Sequence, residues 1–367
     1  MNYPLFVSES VCAGHPDKIC DQISDAILDA ALENDKNARV AVETLVTTNQ
    51  VVVAGEVTCG QKLDYESIVR KKIEELGYIN SIFGFDSKAN VEVLIHEQSK
   101  DIALGVDNDG AGDQGMMFGY ACKETPQLMP LPIVLAHELC QRMDELQFEK
   151  LNYLRPDGKA EVSISYENSL PKLVEKIVLA KPFDPKFEVD QVKIDLYKLV
   201  VLPVLEKYRL NRLKIDKVVF NGTGKWEIGG PASDTGVTGR KIVVDTYGGM
   251  GRIGGGCFSG KDPTKVDRSA AYAARFLAKN IVANDLADRC EVQLAYVIGQ
   301  KEPIVKSVET FGTEKKEIKM IEDFIWNLME LSVKGIIEKF DLKRPIYQKT
   351  ARYGHFGNED YPWERIG

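Results

Sequence analysis

Hydrophobic and polar residues follow a pattern along this chain that repeats three times. Three long stretches carry apolar residues at i, i+3, i+4 and i+7, which predicts amphipathic helices over 17–35, 131–150 and 266–286. After each helix come two alternating segments that predict strands, then a further helix, then a closing strand. The strand pairs are 38–46 with 50–58, 160–167 with 172–181, and 290–299 with 303–310. The further helices are 65–78, 189–210 and 314–340, and the closing strands are 90–98, 217–224 and 345–354.

This repeat predicts the fold class. The order α-β-β-α-β recurs with a spacing of about 120–130 residues, although the letters themselves do not repeat. It predicts an α+β protein of three pseudo-threefold-related domains, each a mixed sheet with its helices on one face. The opposite sheet faces also carry apolar residues, so they need cover. Either a second copy of the chain or a neighbouring domain of the same chain could supply it.

Composition narrows the function classes. The chain has 367 residues, of which 44% are hydrophobic, and its net charge is −8, which argues against a general nucleic-acid surface. No stretch reaches the roughly 20 apolar residues of a membrane span. The seven cysteines form no C-x-x-C pair, and the start of the chain lacks the features of a signal peptide. These features predict a cytoplasmic protein.

Two glycine patterns overlap near residue 254. Residues 249–254 read GMGRIG, which fits the dinucleotide pattern, and 255–262 come within one letter of a phosphate-binding P-loop. Both follow 241–247, a plausible strand. A dinucleotide site needs a helix at the third glycine, and none is expected before Asp262. Asp262 also replaces the hydroxyl that a P-loop requires.

A third kind of phosphate site fits this segment better than either pattern. Asp262 and Pro263 suggest a helix N-cap followed by proline at the first position. Lys261, Lys265 and Arg268 crowd this helix start, where cations are unfavourable unless an anion is bound. The plain alternative is a tight glycine turn without a ligand.

Two aspartates at equivalent helix starts suggest a metal site. Asp17 opens the first long helix beside His15, and Asp267 opens the third. Carboxylates are the ligands that Mg²⁺ prefers, and in a magnesium–polyphosphate site the phosphates supply most of the others. Taken alone, His15 is more often a polar loop residue and Asp17 a helix cap.

Several motifs together resemble the S-adenosylmethionine synthetase (methionine adenosyltransferase) family. They are GHPDK, GAGDQG, RPDGK, GGP-x-x-D-x-G-x-TGRK and GGG-x-FSGKDP-x-KVDRSAAY, in this order over nearly the whole chain. The resemblance implies that the sulfur of methionine attacks C5′ of ATP and that triphosphate leaves and is hydrolysed to pyrophosphate and phosphate. A triphosphatase, or a nucleotide-sensing relative without turnover, is the alternative.

The resemblance also implies roles for individual residues. The implied catalytic residues are His15, Lys159, Arg240, Lys241, Lys261 and Lys265. The implied ATP contacts are His15, Asp157, Lys159, Lys225, Trp226, Asp234, Arg240, Lys241, Cys257 and Lys261. The implied methionine contacts are Glu56, Gln98, Asp113, Asp234 and Lys265. Asp17 and Asp267 would bind two Mg²⁺ ions per site, and Glu43 would bind K⁺.

Domains and assembly follow from the same resemblance. We expect an N-terminal domain over 1–98, a flexible active-site loop over 99–112, a central domain over 113–230 and a C-terminal domain over 231–367. The family implies a homodimer with shared active sites that often pairs into a homotetramer, and no nucleic-acid or membrane partner. Trp226 departs from the usual phenylalanine and Cys257 from the usual alanine, and the loop after Gln98 is shorter than in many relatives.

Overall fold

Three α+β units make up the protein, which confirms the predicted fold class. The computed structural model describes residues 4–97, 110–210 and 213–367. The strands are β1 (Leu5–Val11), β2 (Arg39–Thr47), β3 (Gln50–Thr58), β4 (Asn90–His96), β5 (Gly115–Cys122), β6 (Lys159–Glu167), β7 (Leu170–Ala180), β8 (Val218–Phe220), β9 (Gly236–Val237), β10 (Arg289–Tyr296) and β11 (Val305–Glu309). The helices are α1 (Pro16–Asn34), α2 (Tyr65–Glu75), α3 (Leu131–Glu149), α4 (Val189–Leu196), α5 (Leu202–Lys207), α6 (Ile242–Asp245), α7 (Val266–Ala283), α8 (Ile318–Trp326) and α9 (Val333–Phe340). Within the described ranges, no helix has both the length and the hydropathy needed to cross a membrane.

Each unit is built on an antiparallel hairpin, and these hairpins are β2–β3, β6–β7 and β10–β11. The first two sheets add a parallel strand, β4 beside β3 and β8 beside β7. Among the residues that the structure describes, the third sheet gains no such strand, and the predicted strand over 345–354 is wrong. That segment forms turns, because the N–H groups of Tyr347 and Gln348 bind the carboxylate of Asp29 instead of a neighbouring strand.

The three sheets exchange strands in a cycle. Strand β1, which precedes α1, pairs with β6 of the second sheet, and β5, which precedes α3, pairs with β10 of the third. Strand β9, which precedes α7, pairs with β2 of the first sheet and closes the cycle. Each unit is therefore tied to the next by backbone hydrogen bonds, each contributing about 1 kcal/mol net. The domain boundaries expected from the sequence stay a prediction.

The long helices cover the inner sheet faces as their amphipathic patterns require. Helix α1 packs on β2 and β9, α3 on β1 and β6, and α7 on β5 and β10. Helix α7 lies very close to β5 at Gly119, where an added Cβ would stand 2.0 Å from the carbonyl oxygen of Ala274. Cores formed by buried aliphatic and aromatic side chains fill the space beneath each long helix.

Three local predictions need correction. The helix expected over 314–340 is two helices, α8 and α9, because Ser332 starts a new helix by accepting a hydrogen bond from the N–H of Gly335. The helix over 189–210 contains a wider π-helical turn at Tyr197–Val201. The strand expected over 241–247 is the short helix α6.

Candidate active site at the edge of strand β2

The first long helix begins in a tight loop that carries two of the predicted site residues. Pro16 occupies the first turn of α1, and His15 is the N-cap residue, whose Nδ1 accepts a hydrogen bond from the N–H of Asp17 at 3.2 Å. The hydroxyl of Tyr78 donates to the carbonyl of Gly14 at 2.6 Å and so anchors this loop.

His15 is neutral and has a defined orientation. Its side chain is 1% exposed, and its pKa falls to about 3 because of burial first and then the charges of Lys241 and Lys159. Because Nδ1 accepts the hydrogen bond of the helix cap, the proton of the neutral ring sits on Nε2. His15 therefore presents one N–H donor, and it makes no hydrogen bond from Nε2 to a described residue.

Asp17 is held between the helix and the loop that carries the TGRK motif. Its Oδ1 accepts from the N–H of Val237 at 3.0 Å, and its Oδ2 accepts from Nζ of Lys241 at 2.6 Å. The guanidinium of Arg240 lies 3.9 Å from Oδ1. Burial alone would raise the pKa of Asp17, but Lys241 and the Val237 N–H outweigh it and hold that pKa below its usual value. Asp17 is therefore an anion surrounded by cations.

The RPDGK loop lies against the loop that carries His15. Gly14 leaves no room for a side chain there, since an added Cβ would stand 2.5 Å from the carbonyl oxygen of Pro156. The carboxylate of Asp157 is enclosed and accepts from the N–H groups of Gly158 and Gly230, both at 2.7 Å. Both oxygens of Asp157 thus serve the local fold, and its contact with ATP stays a prediction.

Lys159 and Arg240 are the most accessible cations of this part of the site. Lys159 is the first residue of β6, is exposed, and forms no ion pair with any residue in the described ranges. Arg240 is also exposed, and its guanidinium donates to the carbonyl of Thr235. We call His15, Asp17, Lys159, Arg240 and Lys241 the α1 cluster.

A second cluster lies at the start of α7. Nζ of Lys261 donates to Oδ2 of Asp267 at 2.6 Å. Gly256 lies directly against this carboxylate, where an added Cβ would stand 2.2 Å from Cγ of Asp267. We call Lys261, Asp267 and the adjoining Cys257 the α7 cluster. Burial raises the pKa of the Cys257 thiol, while the nearby Lys261 acts to lower it.

The prediction for the helix start itself needs correction. Asp262 does not cap the helix, because α7 begins later, at Val266, and Lys265 occupies the cap position. Asp262 instead caps the preceding turn, where its Oδ1 accepts from the N–H of Thr264 and its Oδ2 accepts from Nζ of Lys265 at 2.6 Å. Lys265 is thus neutralised without an added anion.

Arg268 is also neutralised by the protein. Its guanidinium is fully buried and donates twice to Asp25, at 2.7 and 2.8 Å. Of the three cations that the sequence placed at this helix start, Lys261 is the one that faces a predicted metal ligand.

The edge of strand β2 that faces away from β3 brings the loops of the two clusters side by side. Strand β9 pairs with Leu45 and Val46 of β2. Further along the same edge, the N–H of Val42 donates to the carbonyl of Gly260 at 3.0 Å. Where the two loops meet, Gly239 lies against Cys257, so close that an added Cβ would be 2.5 Å from the Cβ of Cys257.

Other predicted site residues lie around this edge. Glu43 points from β2 to the outer sheet face between the two loops, and Glu56 of β3 lies on the same face, 3.2 Å from His96. Asp113 and Asp234 are exposed. Gln98 and residues 99–109 of the predicted loop lie outside the described residues.

The predicted adenine contact lies beside Asp157. Trp226 is partly buried, its indole N–H donates to the carbonyl of Ile228 at 2.8 Å, and its ring packs near Gly229. Lys225 turns away and donates to the carbonyl of Pro185 at 3.0 Å.

The residues that the sequence reasoning missed lie behind the site. Asp21 binds the N–H of Gly239 and Asp25 binds the N–H of Gly260, both at 2.9 Å. The spacing of four residues from Asp17 to Asp21 and Asp25 was visible in the sequence, because such residues share one face of a helix.

No group of three or more His, Cys, Asp or Glu residues in the described part of the chain could hold a metal by itself. The two clusters instead offer single carboxylates, each bonded to a lysine. This donor set suits a cation whose remaining ligands come from a bound polyphosphate.

Comparisons with known proteins match the whole chain. Three family models of S-adenosylmethionine synthetase match in order, the N-terminal domain over 3–100, the central domain over 108–226 and the C-terminal domain over 228–365. A relative from Treponema denticola, named S-adenosylmethionine synthase, is 51% identical over 377 aligned positions, covering 100% of this chain and 96% of the relative.

Proposed function

Because the chain belongs to the S-adenosylmethionine synthetase family, it is a methionine adenosyltransferase, and we propose that the α1 and α7 clusters bind the triphosphate of ATP during the reaction. The enzyme forms S-adenosyl-L-methionine from ATP and L-methionine. The observation that carries the proposal is the pairing of each candidate metal ligand with a lysine, Asp17 with Lys241 and Asp267 with Lys261.

The chemistry explains why such a site needs cations. A lone pair of the methionine sulfur forms the new bond to C5′ of ATP, and the bond from C5′ to the triphosphate oxygen breaks. The thioether becomes a sulfonium cation and the electron pair departs with the triphosphate. The neutral sulfur needs no general base, so the protein acts mainly on the charge that develops on the leaving group.

His15 would donate a hydrogen bond to the oxygen that leaves C5′. Its Nε2–H is available because the helix cap uses Nδ1, and its depressed pKa keeps the ring neutral. Lys159, Arg240, Lys241 and Lys261 would neutralise the phosphates, and Lys265 would complete the set beside methionine. Removing one such donor costs about 3–4 kcal/mol of transition-state stabilisation.

The family uses ATP and a divalent metal. Which metal ions bind, and which residues hold them, is part of this proposal. Asp17 and Asp267 would each hold one of two Mg²⁺ ions, and Glu43 would hold K⁺. Metal ions bound there would withdraw negative charge from the triphosphate oxygens. Lys241 and Lys261, which bond the two aspartates, could then turn toward the phosphates.

The remaining assignments concern both substrates. Glu56, Gln98, Asp113 and Asp234 would contact methionine, with Asp234 also near the ribose. Trp226 would stack on adenine, and Asp157, Lys225 and Cys257 would line the ATP site.

A second copy of the chain would complete the site. The recess beside Asp267 measures only about 20 Å³, whereas small-molecule sites usually occupy roughly 300 Å³ or more. The outer faces and edges of the sheets expose large apolar side chains, which are Leu5, Val7, Leu94, Met116, Leu170, Leu173, Ile304 and Val305. We propose a homodimer formed through these faces, with shared active sites, that can pair into a homotetramer in the cytoplasm.

A product assay tests the reaction and the cation roles together. S-adenosylmethionine, pyrophosphate and phosphate should form in equal amounts, and only when methionine is supplied. Lys241→Met and Lys261→Met should each lower kcat about a hundredfold or more. Lys207→Met is the matched control, because this exposed lysine pairs with Glu138 away from the site. Phosphate release without methionine at the full rate would favour a triphosphatase.

The assembly has its own test. Leu94 lies on an outer sheet face and is 53% exposed, so Leu94→Asp should produce monomers in sedimentation experiments and lose activity in parallel. A fully active monomer would contradict the shared site.

A further inference from the structure

Helix α1 carries a ladder of four buried aspartates behind the site. Asp17, Asp21, Asp25 and Asp29 follow one another at intervals of four residues and are between 0% and 4% exposed. Residues four apart lie one above the other on a helix, so the four carboxylates form one stripe. Interior stripes of this kind are normally apolar, because burying a carboxylate costs several kcal/mol unless it is fully paired.

Each of the four carboxylates accepts hydrogen bonds from the backbone of a segment that lies between residues 237 and 348. The bonds run from Val237 N–H to Asp17, from Gly239 N–H to Asp21, from Gly260 N–H to Asp25, and from Tyr347 and Gln348 N–H to Asp29. Their lengths lie between 2.9 and 3.0 Å. The ladder therefore joins segments that are more than two hundred residues apart in sequence.

Two of the residues whose N–H groups are bound in this way are glycines that directly precede the cations proposed to bind phosphate. Gly239 precedes Arg240, and Gly260 precedes Lys261. Both glycines have left-handed backbones, with φ of 81° and 80°. At Gly260 an added Cβ would stand 1.9 Å from the carbonyl oxygen of Val42. The backbone conformation just before Arg240 and Lys261 is thus fixed at a glycine whose N–H is bound by one aspartate.

Asp21 and Asp25, the two middle aspartates, also pair with buried cationic side chains. Lys18 donates to Asp21 at 2.9 Å and to Asp245 at 2.5 Å, and Asp245 ends helix α6, which follows the loop that carries Arg240. Arg268 binds Asp25 through two hydrogen bonds. Asp29 binds two backbone N–H groups but has no lysine or arginine partner among the described residues.

We propose that Asp21 and Asp25 are positioning residues for the adenosyl-transfer reaction, which hold the cations at 240–241 and 261 at the spacing that the departing triphosphate requires. This inference rests on the proposed roles of those cations. A carboxylate that only stabilised the fold would not need to bond the residue next to each cation. Asp29 grips a loop without site residues and so offers a natural control on the same helix.

The test compares alanine variants of Asp21 and Asp29, which are both buried. Asp21→Ala removes the acceptor of one loop N–H but leaves Lys18 paired with Asp245. Asp29→Ala removes the acceptor of two loop N–H groups. For each variant one measures the midpoint of thermal unfolding, kcat and KM for ATP and methionine, and the inhibition constant of tripolyphosphate.

We expect Asp21→Ala to lower kcat about tenfold or more, because small displacements of positioned groups are costly. The same variant should weaken inhibition by tripolyphosphate, with the KM for methionine little changed. Asp29→Ala should keep kcat within about threefold of the native value despite an equal or larger loss of thermal stability. Asp21→Asn, which retains an oxygen for the Gly239 N–H, should recover most of the activity. Should Asp21→Ala fail to fold, Asp21→Ser takes its place, because its side chain is polar but too short to accept the hydrogen bond of the Gly239 N–H.

Parallel losses of activity and stability at both rungs would overturn the inference, and so would a native kcat in Asp21→Ala. The proposed function is checked separately with Lys241→Met. If that variant loses activity while Asp21→Ala does not, only the positioning role falls. If Lys241→Met is fully active, the proposed phosphate binding by the cations is wrong, and so is the positioning role of Asp21 and Asp25 that depends on it.

Discussion

The two ring nitrogens of His15 have separate roles, which a pair of substitutions can divide. Nδ1 caps helix α1, and Nε2–H is the donor that we propose for the leaving oxygen. In His15→Asn, the amide oxygen takes the position of Nδ1, and asparagine is among the best N-cap residues. His15→Ala removes both functions.

The expected magnitudes differ for the two functions. Loss of the cap in His15→Ala should cost about 1 kcal/mol of unfolding free energy, whereas His15→Asn should stay within about 0.5 kcal/mol of the native protein. Loss of one donor to developing negative charge costs about 3–4 kcal/mol, so both variants should lose about 10²- to 10³-fold in kcat. ATP should still bind to both variants, because the cations remain.

Steady-state kinetics, urea unfolding and ATP-binding titration on the two variants check this division. The pKa of His15 is lowered to about 3, so its titration in the free enzyme should leave no inflection in kcat/KM between pH 5 and pH 8. A His15→Asn variant with near-native kcat would refute the role of Nε2–H. Equal losses of stability in both variants would refute the role of Nδ1 as a cap.

Three further predictions concern the metal, the fold and pH. Asp17→Asn should raise the Mg²⁺ concentration for half-maximal rate about tenfold or more, since a ligand charge is lost; unchanged magnesium dependence would remove Asp17 from the metal site. Glu364→Gln should cost about 3–5 kcal/mol in urea unfolding, because it leaves Arg275 buried without its carboxylate partner. The control Arg142→Ala, at an exposed ion pair, should cost less than about 1 kcal/mol, and similar losses in the two variants would contradict this reasoning. Burial lowers the pKa of His137 to about 3, so its contribution to stability is complete above pH 6.5 and is lost as the pH falls toward 3. Between pH 4 and pH 6 the unfolding free energy of His137→Gln should therefore change with pH less steeply than that of the native protein, by up to about 1.4 kcal/mol per pH unit, and identical slopes would show that His137 is not buried in its neutral form.

The local part of the fold could be predicted because periodicity is a local signal. The long helices and the hairpins bury one face each, so their apolar residues recur at the helical or strand period. The cyclic strand exchange could not be predicted in this way. Strand β5 is buried over most of its length and shows no alternation, and β9 has only two residues. Their pairing is decided by contacts with strands far away in sequence.

The candidate site, too, could be predicted from the sequence only in part. The motifs identified the cations and the two aspartates one by one, and the structure shows how the edge of β2 brings their loops together. Counting cations at a helix start was less reliable. Lys265 and Arg268 suggested a bound anion, yet Asp262 and Asp25 neutralise them from outside the helix. Charge balance in a folded protein depends on long-range partners that a local stretch of sequence does not reveal.

The binding of tripolyphosphate tests the central claim most directly, because this anion is the leaving group without the rest of ATP. Isothermal titration in the presence of Mg²⁺ compares the native enzyme with Lys241→Met, Lys261→Met and the control Lys207→Met. The account predicts that both site variants bind tripolyphosphate at least about tenfold more weakly, with native binding in the control. Undiminished affinity in the two site variants would show that these cations do not hold the leaving group.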